Sequence, residues 1–225
     1  GSDNGYIRLS THNAQAQRIN QRKLDELTTR SYKFKATIEG NFPDYSYPTD
    51  LELELKKGAQ VMFVKNDISG MHRYANGTIG HVTNISHEGI EVMVNETGVK
   101  VNLEEAEWAN AKYRLDEETK EIVEEVEGVF RQYPLKLAWA ITVHKSQGLT
   151  FDKLAIDFGR GAFTYGQVYV ALSRARSLDG LQLVRPIERK SVKVSNDILA
   201  FASSFNDEQV ISTELSIGEA VREFE

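Results

Sequence analysis

A run of polar residues, Thr142-Val143-His144-Lys145-Ser146-Gln147-Gly148, carries the groups best suited to chemistry in this chain of 225 residues. It follows an apolar, strand-like run at 135–141, so we expect a tight turn or the start of a helix. Such a turn presents backbone amides, hydroxyls and an ammonium together, and these groups hold a nucleic-acid backbone without reading its bases. His144 alone could be a core histidine, but within this polar cluster we interpret it as functional.

The elements that would position the polar cluster alternate between strands and helices. Strand-like runs cover 135–141, 153–158 and 181–184. Between the second and third runs, an apolar stripe of helix length ends near Arg174. This alternation is typical of an open α/β sheet, whose ligand sites lie beyond the carboxyl ends of the strands. Because the cluster directly follows the first of these strands, we predict that the site lies at that edge of the sheet.

The beginning of the chain predicts another strand of the same kind. Residues 6–9 are strand-like, a polar turn follows, and the spacing of apolar residues predicts a helix from Ala14. Thr11 or Asn13 is expected to cap this helix. A strand, turn and helix start can bind phosphate through free amides and the helix dipole, although most such turns are structural.

The middle of the chain has a different pattern. Short strands separated by turn pairs such as Asn76-Gly77, with no helix of convincing length, predict a small antiparallel barrel or sandwich. We expect it to be inserted into the α/β unit as a separate domain. The predicted domains are a discontinuous α/β domain at 1–55 and 134–225 and the insertion at 56–133.

Charge is unevenly distributed, although the formal net charge is only −6. Residues 136–193 contain ten lysines and arginines against four acidic residues, whereas the blocks on either side are acidic. A polyanion can therefore dock on the segment that carries the polar cluster, and ordinary solvated faces are the alternative. A basic and aromatic loop at 65–77 is a second candidate, where Arg73 is predicted to contact single-stranded nucleic acid unless the loop is simply polar.

Composition excludes several kinds of protein. The chain has no cysteine, which excludes thiolate metal sites and a disulfide scaffold, and no second ligand stands at metal-binding spacing from His144. No apolar run approaches the length of a membrane span and the first residues show no signal-peptide pattern, so we expect no membrane partner and a place in the bacterial cytoplasm. The tail at 191–225 is expected to be acidic and partly helical. Gly1-Ser2 resembles a cloning remnant and predicts a piece of a longer protein.

Two segments carry a resemblance to a known family. Residues 142–148, together with Val-Tyr-Val-Ala-Leu-Ser-Arg at 168–174, resemble the last two motifs of superfamily I helicases. The resemblance is strongest to the RecD/PIF-type branch, which moves 5′ to 3′ on single-stranded DNA, and it extends over about residues 6–187. It includes the motif that opens the second RecA-like domain and the SH3-like barrel inserted there, at 9–20, 57–67 and 76–80.

The resemblance implies roles for individual residues. It identifies Arg174 as the arginine finger, which stabilises charge on a transferred phosphoryl group; a surface salt bridge is the alternative. Arg176 is expected to be structural or to contact phosphate. Thr11 stands where 3′-to-5′ relatives carry an arginine, so the opening motif is left with neutral hydrogen bonds to ATP. The implied DNA contacts are Thr142, His144, Lys145 and Ser146, and the implied ATP contacts besides Arg174 are Asn13, Gln15, Gln147 and Gly148.

One part of a nucleotide site is missing from the sequence. No P-loop of the form G-x-x-x-x-G-K-[ST] occurs in the chain. The resemblance places that loop, the Mg²⁺ ligands and the catalytic carboxylate in an N-terminal RecA-like domain, which is the expected partner together with single-stranded DNA. We therefore expect ATP and Mg²⁺ to be held mainly by that domain, and this chain alone to bind DNA weakly without ATPase activity. The alternatives are a non-enzymatic nucleic-acid or protein interaction module that uses the barrel, and a helicase relative that has lost catalysis.

Overall fold

The computed structural model describes residues 5–86, 89–115, 121–157 and 166–185, so the predicted acidic tail at 191–225 lies outside the described residues. Over these ranges the helices are α1 (Asn13–Asp25) and α2 (Gln167–Leu172), and 3-10 turns cover Asp44–Ser46 and His144–Ser146. The strands, in chain order, are β1 (Ile7–Ser10), β2 (Ser31–Lys35), β3 (Thr37–Gly40), β4 (Glu52–Lys56), β5 (Gln60–Phe63), β6 (Ile79–Ser86), β7 (Gly89–Val94), β8 (Lys100–Leu103), β9 (Ala106–Leu115), β10 (Ile122–Gln132), β11 (Leu135–Leu137), β12 (Ala140–Thr142), β13 (Leu154–Ile156) and β14 (Leu181–Leu183). Over the described ranges, no helix has the length and apolar composition needed to cross a membrane.

Four parallel strands form the sheet that carries the polar cluster, in the order β12-β1-β13-β14. Its core contains the fully buried side chains of Ile7, Leu9 and Ile156. Ser10 lies opposite Thr142 in the ladder, so the carboxyl ends of β1 and β12 meet at one edge of the sheet. The predicted α/β fold is confirmed.

Helix α1 is fastened to the edge strand β12 through Asn20. The side-chain amide of Asn20 donates to the carbonyl of Ala140 at 2.9 Å and accepts from the Ala140 amide at 2.8 Å. It therefore bonds the exposed edge of the strand as a neighbouring strand would. The predicted cap is wrong: His12 precedes the helix in an extended conformation, and neither Thr11 nor Asn13 caps it by a side-chain hydrogen bond.

The apolar run at 135–141, predicted as one strand, is divided between two sheets. Strand β11 pairs antiparallel with β5, whereas β12 pairs parallel with β1. Between them, the Ala138 amide donates to the Gln60 carbonyl at 3.0 Å, and the Gln60 side chain donates to the Ala138 carbonyl at 2.8 Å. The chain therefore passes from one sheet to the other at Ala138, because each half of the run completes a different hydrogen-bonded ladder.

A five-stranded antiparallel sheet, in the order β11-β5-β6-β7-β8, contains most of the strands predicted in the middle of the chain. Its core includes the buried side chains of Phe63, Val82 and Val92. Met62 is buried instead in the core of the parallel sheet, beside Ile141 and Phe151. The two sheets therefore share apolar contacts through β5.

Strands β9 and β10 form a separate three-stranded sheet with β3, and β2 pairs with β4. The β9–β10 ladder is interrupted by a bulge between Val126 and Gly128. A Cβ at Gly128 would lie 2.3 Å from the carbonyl oxygen of Asn41, so only glycine admits this close approach of the backbone. The antiparallel strands expected at 56–133 are thus distributed over two sheets.

Candidate nucleic-acid and nucleotide site

The polar cluster forms a compact turn at the carboxyl end of β12. The Thr142 hydroxyl accepts a hydrogen bond from the Lys145 amide at 3.3 Å, and the Ser146 hydroxyl donates to the Val143 carbonyl at 2.6 Å. Thr142 and Ser146 are buried, at 5% and 0% exposure. Their hydroxyl groups therefore fix the shape of the turn from inside.

The side chains of the same turn that face solvent are His144, Lys145 and Gln147. Within the described part of the chain, no carboxylate forms a salt bridge with Lys145, so its ammonium is available to an anion. Gly148 ends the turn with φ +76° and is exposed, a conformation that favours glycine and turns the chain toward β13. The turn thus presents an imidazole, a cation and an amide beyond the edge of the sheet.

Arg174 lies two residues beyond α2 and bonds back to this turn. Its Nη1 donates to the carbonyl oxygens of Ser146 at 3.4 Å and Leu149 at 3.2 Å. Its Nε donates to the Val170 carbonyl at 3.1 Å, and Nη2 to the Ser173 hydroxyl at 2.9 Å. These acceptors are all neutral, so the guanidinium is held in place while its charge stays uncompensated by any carboxylate among the described residues. Such an arginine can stabilise an anion.

The neighbouring arginine differs. Arg176 Nη1 donates to Asp152 at 2.8 Å and to Glu96 at 3.1 Å, and its side chain is exposed. Two carboxylates compensate its charge. Its ion pairs are consistent with the structural role expected for it, and the alternative of a phosphate contact stays a prediction.

Two polar residues at the start of α1 lie beside the same edge of the sheet. Gln15 accepts a hydrogen bond from the Ser10 hydroxyl at 2.8 Å, and the Val143 amide donates to the Ser10 carbonyl at 2.9 Å. Asn13 is exposed. The in-register pairing of β1 with β12 thus brings the start of α1, with Asn13 and Gln15, to the edge that carries the polar cluster. Their contact with ATP stays a prediction.

Arg73 lies in a different place, in the loop between β5 and β6. Its Nε donates to Asp67 at 2.9 Å and its Nη2 to the other carboxylate oxygen at 3.3 Å, while the Asp67 side chain is 2% exposed. The Arg73 guanidinium holds the pKa of the Asp67 carboxyl well below its usual range, and the Ser69 and Arg73 amides add to this effect. Arg73 therefore stiffens its loop, and its charge is paired.

Comparison with known proteins decides the family. The herpes helicase family, described as a helicase, matches residues 115–210. The human ATP-dependent DNA helicase PIF1 is 34% identical in an alignment of 216 residues that covers 92% of this chain and 31% of that protein. Unliganded Pif1 from Bacteroides sp. superposes with a TM-score of 0.82 at 39% identity, over 92% of this chain and 46% of that one. The chain is a region of a PIF-type superfamily I helicase.

A second Bacteroides Pif1 structure, in complex with ADP-AlF3 and single-stranded DNA, superposes on this PIF-type region with a TM-score of 0.70 at 39% identity. The superposition covers 92% of this chain and 47% of the Bacteroides chain. The PIF-type region thus spans about a third of the human relative and just under half of the Bacteroides chains.

Sequence reasoning missed one cation beside the turn. Lys136 in β11 is partly buried, and its pKa is lowered by that burial and then by the positive charge of Lys145. A lysine that interrupts the apolar run Leu135-Lys136-Leu137 was the signal available in the sequence. In this PIF-type region, two cations are close enough to repel each other, and an anion bound beside them would relieve that repulsion.

Proposed function

We propose that this chain is part of an ATP-dependent 5′-to-3′ DNA helicase. In this proposal it is the second RecA-like domain, at 1–55 and 134–225, with an SH3-like insertion at 56–133. It binds single-stranded DNA through the turn at 142–146 and presents Arg174 to ATP. The P-loop, Mg²⁺ and most ATP contacts belong to an N-terminal RecA-like domain of the same protein.

The observation that carries the proposal is the hydrogen-bonded link between Arg174 and the turn. Because one guanidinium bonds the carbonyls of Ser146 and Leu149, the arginine and the DNA-binding turn move as one unit. Opening and closing of a cleft between two RecA-like domains would then move both together, which couples hydrolysis to stepping along DNA.

On the DNA side, the exposed and buried residues of the turn have different proposed roles. His144 and Lys145 contact the phosphate backbone, since they are exposed beyond the sheet edge. Thr142 and Ser146 maintain the turn, because their hydroxyls already bond within it. The Bacteroides relative in complex with single-stranded DNA supports this choice of ligand. Arg73 contributes through the shape of the loop that it holds with Asp67.

On the nucleotide side, Arg174 is the proposed arginine finger, and Gln147, Gly148, Asn13 and Gln15 supply the neutral contacts. Their shared position at the carboxyl edge of the parallel sheet is where nucleotide sites form in such folds. The Bacteroides relative in complex with ADP-AlF3 supports the choice of a nucleotide as the ligand on this side. Without a P-loop, we expect this chain alone to lack ATPase activity.

Titration of a labelled single-stranded oligonucleotide against the chain tests the DNA side. Lys145→Ala should weaken binding more than Arg73→Ala does. Loss of binding in the Arg73 variant only would favour an interaction module based on the insertion instead. Magnesium-dependent ATP hydrolysis by the purified chain, above a buffer blank, would contradict the division of the ATP site between two domains.

A further inference from the structure

The turn at Asn76-Gly77 lies directly against Leu149, the residue after the polar cluster. Gly77 has φ +95°, and a Cβ added there would lie 2.8 Å from Leu149 Cδ2, 3.4 Å from Cγ and 3.5 Å from Cδ1. The three atoms nearest to that position, apart from the immediate chain neighbours of Gly77, all belong to the Leu149 side chain. Glycine at position 77 therefore leaves the space into which the Leu149 side chain packs.

The turn at Asn76-Gly77 is held in place by hydrogen bonds next to the five-stranded sheet. The Gly77 amide donates to the Phe63 carbonyl at 2.8 Å, and the Asn76 amide donates to the Asn66 side chain at 2.9 Å. The Ala75 amide donates to the Thr78 hydroxyl at 3.0 Å. With these bonds the turn cannot move without disturbing the end of β5.

Leu149 is equally fixed on the side of the site. Its amide donates to the Ser146 carbonyl at 3.0 Å, and its own carbonyl accepts Nη1 of Arg174 at 3.2 Å. Its side chain packs against the core of the parallel sheet. One residue thus contacts the five-stranded sheet, the DNA-binding turn and the guanidinium of Arg174.

We propose that Gly77 and Leu149 are positioning residues: the five-stranded sheet sets the place of Arg174 through the contact of Leu149 with Gly77, an inference that rests on the proposed role of Arg174 in ATP hydrolysis. Neither residue is among the proposed ATP contacts. Arg174 takes its position from the Leu149 carbonyl, and Leu149 takes its position from Gly77. Displacement of a catalytic group by about 1 Å can lower a rate by roughly a hundredfold. A small shift of Leu149 at Gly77 should therefore produce a measurable change in the rate of ATP turnover.

The test is Gly77→Ala in the full-length helicase that contains this chain, with DNA-stimulated ATP turnover as the measurement. A methyl group at 2.8 Å is well inside the ordinary contact distance of about 3.5–4.0 Å, so the Leu149 side chain must shift. In the proposal, the Leu149 carbonyl that accepts from Arg174 shifts with it. We expect kcat to fall by about tenfold or more while KM for ATP changes by less than about threefold, since nucleotide binding rests on the other domain.

Gly98→Ala is the matched control. Gly98 also has a positive φ, +70°, but no atom lies within 4 Å of an added Cβ, so the change brings backbone strain without the contact. Its kcat should stay within about twofold of the parent. Thermal unfolding of both variants shows whether they remain folded at the assay temperature.

A double variant separates positioning from a general loss of stability. Leu149→Ala removes the same contact from the other side, since the atoms nearest to a Cβ added at position 77 are Cδ2, Cγ and Cδ1 of Leu149. Leu149→Ala alone should therefore also lower kcat, and the double variant should be no slower than the slower single variant, because both changes break one contact. The inference is overturned if Gly77→Ala, folded, keeps the parental kcat, if Gly98→Ala loses as much, or if the double variant is slower still. Arg174→Ala in the same assay separates the two proposals: if it retains turnover, the proposed role of Arg174 is wrong and the inference fails with it.

Discussion

Lys136 lies close enough to Lys145 for the charge of Lys145 to lower the pKa of Lys136, in addition to the lowering by burial. Asp50 opposes this shift only as the smallest of the three causes. Lys136 belongs to the edge of the five-stranded sheet and Lys145 to the turn that follows the parallel sheet. The two sheets thus bring like charges together beside the candidate DNA-binding turn, an arrangement that costs stability until an anion binds.

Lys145→Ala should weaken binding of single-stranded DNA and make it less sensitive to salt. Loss of one phosphate contact reduces the slope of log K against log salt by about 0.7 for a single strand. Fluorescence anisotropy over a series of salt concentrations measures that slope. Lys33→Ala is the control, since Lys33 is exposed and paired with Glu52 on another sheet; an equal effect in this variant would contradict the assignment.

Lys136→Met should make the protein more stable and its DNA binding weaker. The lowered pKa means that the charged amine is disfavoured in the fold, so a neutral side chain of similar length should raise the free energy of unfolding by about 1 kcal/mol. By the same reasoning, parental stability should rise with pH as the solution approaches the ordinary lysine pKa, because the folded state releases this proton first. Urea denaturation measures stability, and the anisotropy titration measures affinity. A variant that is less stable, or that binds DNA as tightly as the parent, would show this interpretation to be wrong.

Arg174→Ala should abolish ATP turnover in the full-length protein and leave DNA binding largely intact. Removal of an arginine finger lowers turnover by roughly 10³–10⁵-fold. Arg174→Lys should recover little, because lysine retains the charge but cannot bond the carbonyls of Ser146 and Leu149 through a planar fork. Arg176→Ala is the control, since exposed ion pairs such as those of Arg176 contribute about 0–1 kcal/mol. Retained ATPase activity in Arg174→Ala would refute the role.

Much of the parallel sheet could be predicted from the sequence, because alternation of strands and helices is a local pattern. The edge at which Asn13, Gln15 and the polar cluster meet follows from the same pattern, since carboxyl ends of parallel strands lie together. The division of the run 135–141 could not be predicted, because both halves are apolar and only long-range pairing with β5 and β1 separates them.

The environments of individual side chains could not be predicted from the sequence either. Thr142 and Ser146 are polar, yet both are buried, and their hydroxyl groups form hydrogen bonds within the turn. The geometry of this turn depends on the strand before it. Arg73 has the composition of a DNA contact, but the buried carboxylate of Asp67, six residues earlier, takes up its guanidinium. The pairing of Asp67 with Arg73 has no characteristic spacing, so the residue types of that loop left the partner of Arg73 open.

Asp67→Asn should destabilise the protein at neutral pH by about 1–3 kcal/mol, the usual scale for a hydrogen-bonded charged group. The Asp67 carboxylate is enclosed, bonds Arg73 through both oxygens and accepts the Ser69 amide at 3.0 Å, so the neutral amide of asparagine leaves the guanidinium without its counter-charge. The pKa of Asp67 is lowered in the fold, so its stabilising effect is complete above the unfolded value of about 3.9 and is lost progressively as pH falls below it. The parent and the variant should therefore differ most at pH 7 and converge toward pH 2.

Urea denaturation of the two proteins at these pH values measures the difference directly. Asp25→Asn is the matched control: Asp25 is exposed and accepts one hydrogen bond from Gln21 at 2.9 Å, so its replacement should change stability by less than about 0.5 kcal/mol. A destabilisation by Asp67→Asn that is the same at pH 7 and pH 2 would mean that the loop is held by packing and not by the Asp67–Arg73 pair. A difference that closes as the carboxyl is protonated assigns the rigidity of this loop to that one buried charge.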